Sequence, residues 1–397
     1  MKSGITPLTL VFALLLPWLE TEAASLGRWT ARTSGTTEDI KGLAYGNGTY
    51  VAVGTKGYIA TSTDGVKWSK KSAGITRDFN GVTFSQGRFI AVCKAPDEGS
   101  GAKIWISDNN GSSWKFRNTD VGGDAITQGL HCVAGNGSGT LVAVGGGWAP
   151  QITVSNDNGT TWHRKTVSGS PLYGVLYAQG QWIAVGAGSP MRSTDGGATW
   201  NTFAGPDGFR IAYGGEVYVV APYNSTGIKW SEDGITWHSA TRAKPFSSDS
   251  IGWTSGCVYA DGMFVVTEEY TRNIWVSENG RVFKKWEAPG TGTGWLLTVI
   301  YADRMYLCGG YKGKLCASPP WLKARMGSSW DYPYTFFDAE EGLPQRIGLP
   351  QYRVNTASLN LVLEATLFHM RTLCSPVNLR LVYNSQPLED AEVSGLF

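Results

Sequence analysis

One order of apolar and polar positions recurs along the chain. An apolar run is followed by a short turn rich in Gly, Asn and Asp, and then by a second apolar run. The instances are GLAYGNGTYVAVG (42–54), GVTFSQGRFIAVC (81–93), GLHCVAGNGSGTLVAVG (129–145), GVLYAQGQWIAVG (174–186), FRIAYGGEVYVVA (209–221), CVYADGMFVVT (257–267) and TVIYADRMYLCGG (298–310). Runs such as VAVG and IAV are apolar at consecutive positions, as strands covered on both faces are. Segments such as Lys67-Trp68-Ser69-Lys70-Lys71 alternate and are polar, as outer strands are. In the first unit the pattern predicts strands a (40–46), b (49–54), c (57–62) and d (66–72). Connections this short make neighbouring strands antiparallel.

A second motif follows each pair of apolar runs: Ser, any residue, Asp or Asn, one or two turn residues including Gly, two more residues, then an aromatic. The clear copies are anchored by Ser62, Asp64 and Trp68; Ser107, Asn109 and Trp114; Ser155, Asp157 and Trp162; Ser193, Asp195 and Trp200; and Ser231, Asp233 and Trp237. A sixth copy, Ser277-Glu-Asn279-Gly280-Arg-Val-Phe283, is eroded, and a seventh survives only as Ser318-Pro-Pro-Trp321. Seven units of about 42 residues fill 28–321, within the range of propeller blades. A four-stranded meander cannot bury both faces alone, and radial stacking of seven does so. The expected fold is therefore all-β, a seven-bladed propeller of four-stranded antiparallel blades, with a short β segment at the C-terminus. Trp29, in GRWTARTSG, reads as a strand d with no a–c strands before it. It is expected to complete the last blade and remove the last open edges.

The Ser-x-Asp-x-Gly-x-x-Trp pattern resembles the Asp-box, or bacterial neuraminidase repeat. The surrounding units are similar to secreted bacterial propellers related to photosystem assembly factors and to sortilin-like domains. The residues themselves give the box a structural role: Ser and Asp bond turn N–H groups, Gly takes positive φ, and the aromatic packs over the hairpin. No catalytic residue, metal ligand or cofactor site is therefore assigned to it. The resemblance also raises a glycoside hydrolase of sialidase-like fold as the alternative. Such enzymes carry an Arg triad, a Tyr nucleophile with a Glu partner, and a Phe/Tyr-Arg-Ile-Pro string before the first box. Nothing in 24–61 matches that string; Phe209-Arg210-Ile211-Ala212 is nearest, in the fifth unit and without Pro. Arg210 there reads as a solvated residue of an ordinary strand a.

Composition narrows the classes further. Gly supplies 52 of 397 residues, nearly twice the usual ~7%. A hydrophobic fraction of 42% excludes global disorder. A net charge of +2 with no Lys/Arg block argues against a nucleic-acid partner. The four His are scattered, and His163 and His238, each following a box Trp, are expected in solvent. Of six Cys, Cys93, Cys132, Cys257 and Cys308 fall in apolar strands and read as small buried hydrophobes. Cys308 and Cys316 flank one hairpin, leaving a bridge between them open. Lys2, the apolar stretch Pro7 to Pro17 and Thr21-Glu22-Ala23-Ala24 read as a signal peptide over 1–23. The expected location is secreted, periplasmic or cell-surface, with membrane contact only through that peptide.

In each blade the a–b and c–d turns share one rim, and the b–c and d–a loops share the opposite face. The second set varies in length, and variable loops on a rigid scaffold are where binding usually lives. Arg77, Asp78, Trp148, Trp253, Glu269, Tyr270 and Trp295 fall there. Aromatics beside carboxylates and Arg suit a glycan or protein ligand.

After the propeller (24–321), residues 322–350 are rich in Pro and aromatics and read as a linker. In 351–397 the alternation at Leu359, Leu361 and Leu363, and at Val377, Leu379, Leu381 and Tyr383, predicts two strands. Val354-Asn355-Thr356-Ala357-Ser358-Leu359-Asn360-Leu361 and Leu379-Arg380-Leu381-Val382-Tyr383-Asn384-Ser385 resemble the opening segment of RHS/YD-repeat proteins. Gly395-Leu396-Phe397 is similar to the start of the Gly-x-Phe-Gly element that follows it there. The resemblance implies a truncated RHS-type shell and, with the propeller, a non-catalytic recognition, adhesion or scaffold module.

Overall fold

The first repeat forms the four strands the pattern predicts, with c and d shorter than expected. Strands Ile40–Gly46, Thr49–Gly54, Ile59–Ser62 and Ser69–Lys71 pair in sequence order, all antiparallel. Asn47 and Gly48 both take positive φ, the two-residue turn an Asn-Gly pair favours. Thr49–Gly54 is buried at every position, whereas Ser69–Lys71 is mostly exposed. This gradient follows from radial stacking: inner strands are covered on both faces and the outermost strand meets water.

The computed structural model describes residues 29–94, 104–117, 128–223, 227–243, 251–289 and 294–318, with short strands further on. The unit Trp29–Ser318 is a seven-bladed β-propeller of four-stranded antiparallel sheets. Blades 2 to 6 start with innermost strands Phe79–Ser85, Leu130–Gly135, Leu172–Ala178, Arg210–Gly214 and Thr254–Ala260. Blade 7 takes Leu296–Ala302, Met305–Gly310 and Lys314–Ala317 from the C-terminal side and Thr30–Thr33 from the N-terminal side. The register runs from Thr30 opposite Ala317 to Thr33 opposite Lys314. Each innermost strand touches the next around the ring, blade 7 to blade 1 included.

Trp29, 3% exposed, precedes this closing strand as Trp68 precedes Ser69–Lys71. Ser318 lies opposite Tyr306 as Ser62 lies opposite Tyr50, and its Oγ accepts the Tyr306 amide. The seventh box is thus divided between the two ends of the propeller. Residues 1–23, Trp321 and 322–350 lie outside the described residues.

The core lies between blades. One cluster joins Val51, Val53 and Ile59 of blade 1 to Phe79, Phe89 and Trp114 of blade 2. Another joins Ile90, Ile104 and Ile106 of blade 2 to Leu141 and Trp162 of blade 3. The box aromatic is the wedge at each seam, and the box Gly lies flat against the preceding blade. At Gly111 (φ 77°) a Cβ would come within 2.8 Å of the Thr61 methyl.

Two box lengths behave differently. In blade 3, Ser155 Oγ donates to Asp157 Oδ1 (2.7 Å) and accepts the Gly159 amide (2.8 Å). The Trp162 indole N–H donates to the Gly159 carbonyl (2.9 Å). Trp114 and Trp200 make the same bond to Gly111 and Gly197. These boxes contain an extra left-handed residue before the Gly: Asn110, Asn158 or Gly196. The boxes of blades 1 and 5 lack it, and the buried Trp68 and Trp237 N–H groups find no partner among the described residues. Blade 6 has the short box too, with Phe283 as its fully buried aromatic. A wedge with no N–H bond to lose tolerates a ring with no N–H.

Some details went unforeseen. Thr241–Arg242 pairs in parallel with Val282–Glu287 and makes a fifth strand on blade 6. Cys308 and Cys316 are direct cross-strand partners and both are free thiols. His163 and His238 are exposed, as expected. The second unit contains a three-stranded antiparallel sheet, Gln351–Asn355, Asn360–Glu364 and Arg380–Val382, one strand more than the alternation indicated. Among the described residues no helix is long and apolar enough to cross a membrane.

Two outcomes follow for stability. Trp162→Phe should lower unfolding free energy by about 1–3 kcal/mol, because a buried carbonyl loses its donor. Trp68→Phe should cost less than about 1 kcal/mol; denaturant midpoints distinguish the two. The Thr199 hydroxyl and amide hold the Asp195 carboxyl below the usual range, and the Thr236 and Ile235 amides do the same for Asp233. A depressed folded-state pKa stabilises above the ordinary Asp value of about 4 and is lost as pH falls below it. The denaturant midpoint should therefore drop between pH 7 and pH 3, by less in Asp195→Asn.

Candidate functional site

The face carrying the b–c and d–a loops is built from the first residues of the innermost strands. In six blades that strand opens with a β-bulge, at Lys41, Asn80, His131, Tyr173, Ser255 and Leu297. A bulge adds one unpaired residue and re-aims its side chain, commonly beside a site. Here the side chains of Lys41, Asn80, His131, Tyr173 and Ser255 reach the neighbouring blade at the channel mouth. Asn80 Nδ2 donates to the Leu130 carbonyl (2.9 Å), Ser255 Oγ to the Leu296 carbonyl, and the His131 ring meets Tyr173 edge-on at 5.3 Å.

Over blades 3 to 7 the mouth is aromatic. Tyr173 stacks on Phe209 (5.3 Å) and Tyr223 (4.9 Å), and Tyr223 leans on Trp253 (5.4 Å). Trp253 meets Tyr270 (5.6 Å), Tyr270 meets Trp295 (4.8 Å), and Trp295 meets Tyr311 (4.8 Å). Together with His131 this is an unbroken arc of rings crossing five blades. Trp253 and Tyr270 are 40% and 43% exposed, so the arc presents ring surface to solvent while its members brace one another. Trp148, at the tip of the blade 3 b–c loop, is 97% exposed and stands apart from the arc. The Gln128 amide oxygen accepts the Gly147 and Trp148 backbone N–H groups and fixes that tip.

Over blades 1 and 2 the same face is charged and internally paired. Asp78 accepts from Lys41 Nζ (3.0 Å) and the Lys56 amide (3.0 Å). Burial raises its pKa, but these bonds outweigh that and hold the carboxyl below the usual range. Lys56 also pairs with Glu38 at 3.2 Å. Asp78 is thus a brace between loops, and Arg77 beside it stays exposed.

Two adjacent glutamates have different surroundings. Glu268, 1% exposed, accepts from the Trp275 indole (2.7 Å), the Gly252 amide (3.1 Å), Asn273 Nδ2 (2.9 Å) and the Thr271 hydroxyl (2.6 Å). It ties the loop beside Trp253 to the loop carrying Tyr270. Glu269 is half-buried, and desolvation pushes its carboxyl above the usual range, opposed by the charge of Lys41.

Arg210 corrects the sequence reading. It is not a solvated strand residue but a half-buried cation in the mouth, Cζ lying 4.6 Å from the Phe209 ring centroid. Its Nη1 donates to the carbonyls of Tyr173 (2.6 Å) and Phe209 (2.8 Å). In blade 5 the paired strand begins at Arg210, which occupies the position held by Gly42, Gly81, Gly174 and Gly256 in other blades. At Gly174 a Cβ would approach Arg210 Cα to 3.1 Å. Small residues there let neighbouring strands close, and blade 5 spends the position on a long cation. The structure thus brings Trp253, Glu269, Tyr270 and Trp295 together, keeps Asp78 in the paired sector, and adds His131, Tyr173, Arg210 and Tyr311. For His131 and Tyr173 the missed signal was the bulge position opening strand a, and for Arg210 a long side chain where four other blades have Gly. Among the described residues no group of three His, Cys, Asp or Glu could hold a metal ion.

The chain matches no protein-family model and no curated protein. Solved structures show the same fold. YCF48 bound to a D1 peptide is 13% identical over 73% of this chain and 94% of its own, with a TM-score of 0.56. YCF48 from Cyanidioschyzon merolae is 14% identical over 74% and 99%, TM-score 0.56. Virginiamycin B lyase from Staphylococcus aureus is 12% identical over 73% and 98%, TM-score 0.57. Likeness at this level establishes the β-propeller and nothing of the activity.

Glu268→Gln leaves at least one donor facing an N–H group. It should lower stability by about 1–3 kcal/mol and speed amide exchange at Gly252. An unchanged exchange rate there would remove Glu268 from its pinning role.

Proposed function

We propose that this chain is a non-catalytic recognition module of a secreted or cell-surface polypeptide of RHS type, and that it holds a protein ligand on the aromatic arc. The observation that carries this reading is the arc itself: rings from five blades, fixed by mutual contact and partly open to solvent. Fixed aromatic side chains lose little entropy on binding and are the residue types over-represented at binding hot spots. The YCF48 propeller bound to a D1 peptide gives a precedent for peptide binding on this fold.

The glycosidase alternative needs two carboxylates at a set separation with different protonation. Glu269 has a raised pKa. Its neighbour Glu268 is engaged by four donors, and Asp78 is tied to Lys41. Neither is disposed to act as the partner acid or base. The same aromatic surface also suits a sugar face, so a glycan array run beside a peptide array decides the ligand class.

In such arrays the full chain should retain a peptide. Trp148→Ala, Trp253→Ala and Trp295→Ala together should weaken capture by about tenfold or more. Trp148→Ala alone should leave the melting point unchanged, since its side chain packs on nothing. Retention of full affinity by the triple variant would place binding elsewhere, and turnover of a glycoside would overturn the non-catalytic reading.

A further inference from the structure

Three cations on this face have carboxylate partners: Lys41 pairs with Asp78, Lys56 with Glu38 and Arg272 with Glu287. Arg210 does not. Its only hydrogen-bond partners among the described residues are two backbone carbonyls, both met by Nη1, and no described carboxylate lies within ion-pairing distance. A guanidinium has five donors in a rigid fork. Here one nitrogen is held by the fold, and Nε and Nη2 are left for a ligand. A half-buried cation without a counter-ion is costly unless something compensates it.

The surroundings point to what that is. Arg210 lies over Phe209, which is nearly parallel to Tyr223 (9°) and Tyr173 (24°), so the guanidinium borders a stack of three rings. The local field is positive. His131 in the same mouth has its pKa held down by burial and then by the charges of Arg210, Lys41 and Lys94, and the Gly146 carbonyl bond only partly offsets them. Uncharged His131 leaves Arg210 as the cation at the base of the stack.

We propose that the channel mouth over blades 3 to 5 binds a carboxylate through the Arg210 guanidinium, with the Tyr173, Phe209 and Tyr223 rings receiving the apolar group attached to it. This rests on the reading of the loop face as the binding face and names the chemistry that anchors its ligand. The carboxylate is either the free end of a peptide or an acidic side chain within one.

The test uses phenylacetate and its uncharged analogue phenylacetamide, followed by ligand-observed NMR on the full chain at neutral pH. Phenylacetate should bind, and at least about tenfold more tightly than the amide, as a charge-assisted pair requires. Arg210→Gln should abolish the preference and Arg210→Lys should keep part of it. Equal binding of acid and amide, or no binding of phenylacetate up to about 10 mM, overturns the proposal, and neither comparison depends on a variant folding. Peptides ending in Phe with a free or amidated terminus, beside an amidated peptide with internal Glu, identify the source of the carboxylate. An arrayed peptide that loses affinity with the three Trp→Ala changes but not with Arg210→Gln would overturn the anchor and leave the face intact. Loss with Arg210→Gln alone would do the reverse.

Discussion

Everything in this propeller depends on four residues pairing across its whole length. Thr30–Thr33 lies against Lys314–Ala317, and without it blade 7 would end in an open edge. The closing strand is mostly exposed and polar, so hydrophobic burial along it is not what holds it. Its hold comes from ladder hydrogen bonds, from Ser34 Oγ bonded to the Gly313 carbonyl, and from Trp29 driven into the seam as the aromatic of a divided box. Because the core lies between blades, closure secures the seam where Ile40 and Tyr50 of blade 1 pack against Leu307 and Leu315 of blade 7.

The Asp-box then appears as a joint rather than a site. Its Ser and Asp hold the turn, its Gly lets the turn lie against the preceding blade, and its aromatic fills the seam. The two lengths solve one packing problem in different ways. The longer bonds the indole N–H, and the shorter leaves it unbonded and so accepts Phe283.

The fold was legible because its determinants are local and repeated. Strand periodicity, Asn-Gly turns and Ser-x-Asp-Gly spacing recur at a fixed interval, and the strands Ile40–Gly46 and Thr49–Gly54 begin and end where the pattern placed them. The proposed binding face was legible only as a set of loops. That Trp253, Tyr270 and Trp295 form one arc, while Asp78 pairs away into a brace, depends on which blades adjoin in space. Arg210 was misread for a physical reason: a charged residue beside a polar turn is ordinarily solvated. Its burial follows from the Tyr173 and Phe209 carbonyls and the Phe209 ring, which hold it in the mouth and come partly from the neighbouring blade. Glu268, legible in sequence only as a loop carboxylate beside Glu269, ends a buried strand and is engaged by four donors from separate segments.

The divided blade has a mechanical corollary. Thr30 sits opposite Ala317, so the polypeptide enters and leaves the ring at the same end of one antiparallel pair. Tension along the chain would therefore load that pair like a zipper, one hydrogen bond after another, instead of shearing all of them together. The ring adds almost no length to a taut polypeptide, yet its closing seam is loaded first under pull, releasing Trp29 before any other wedge is disturbed.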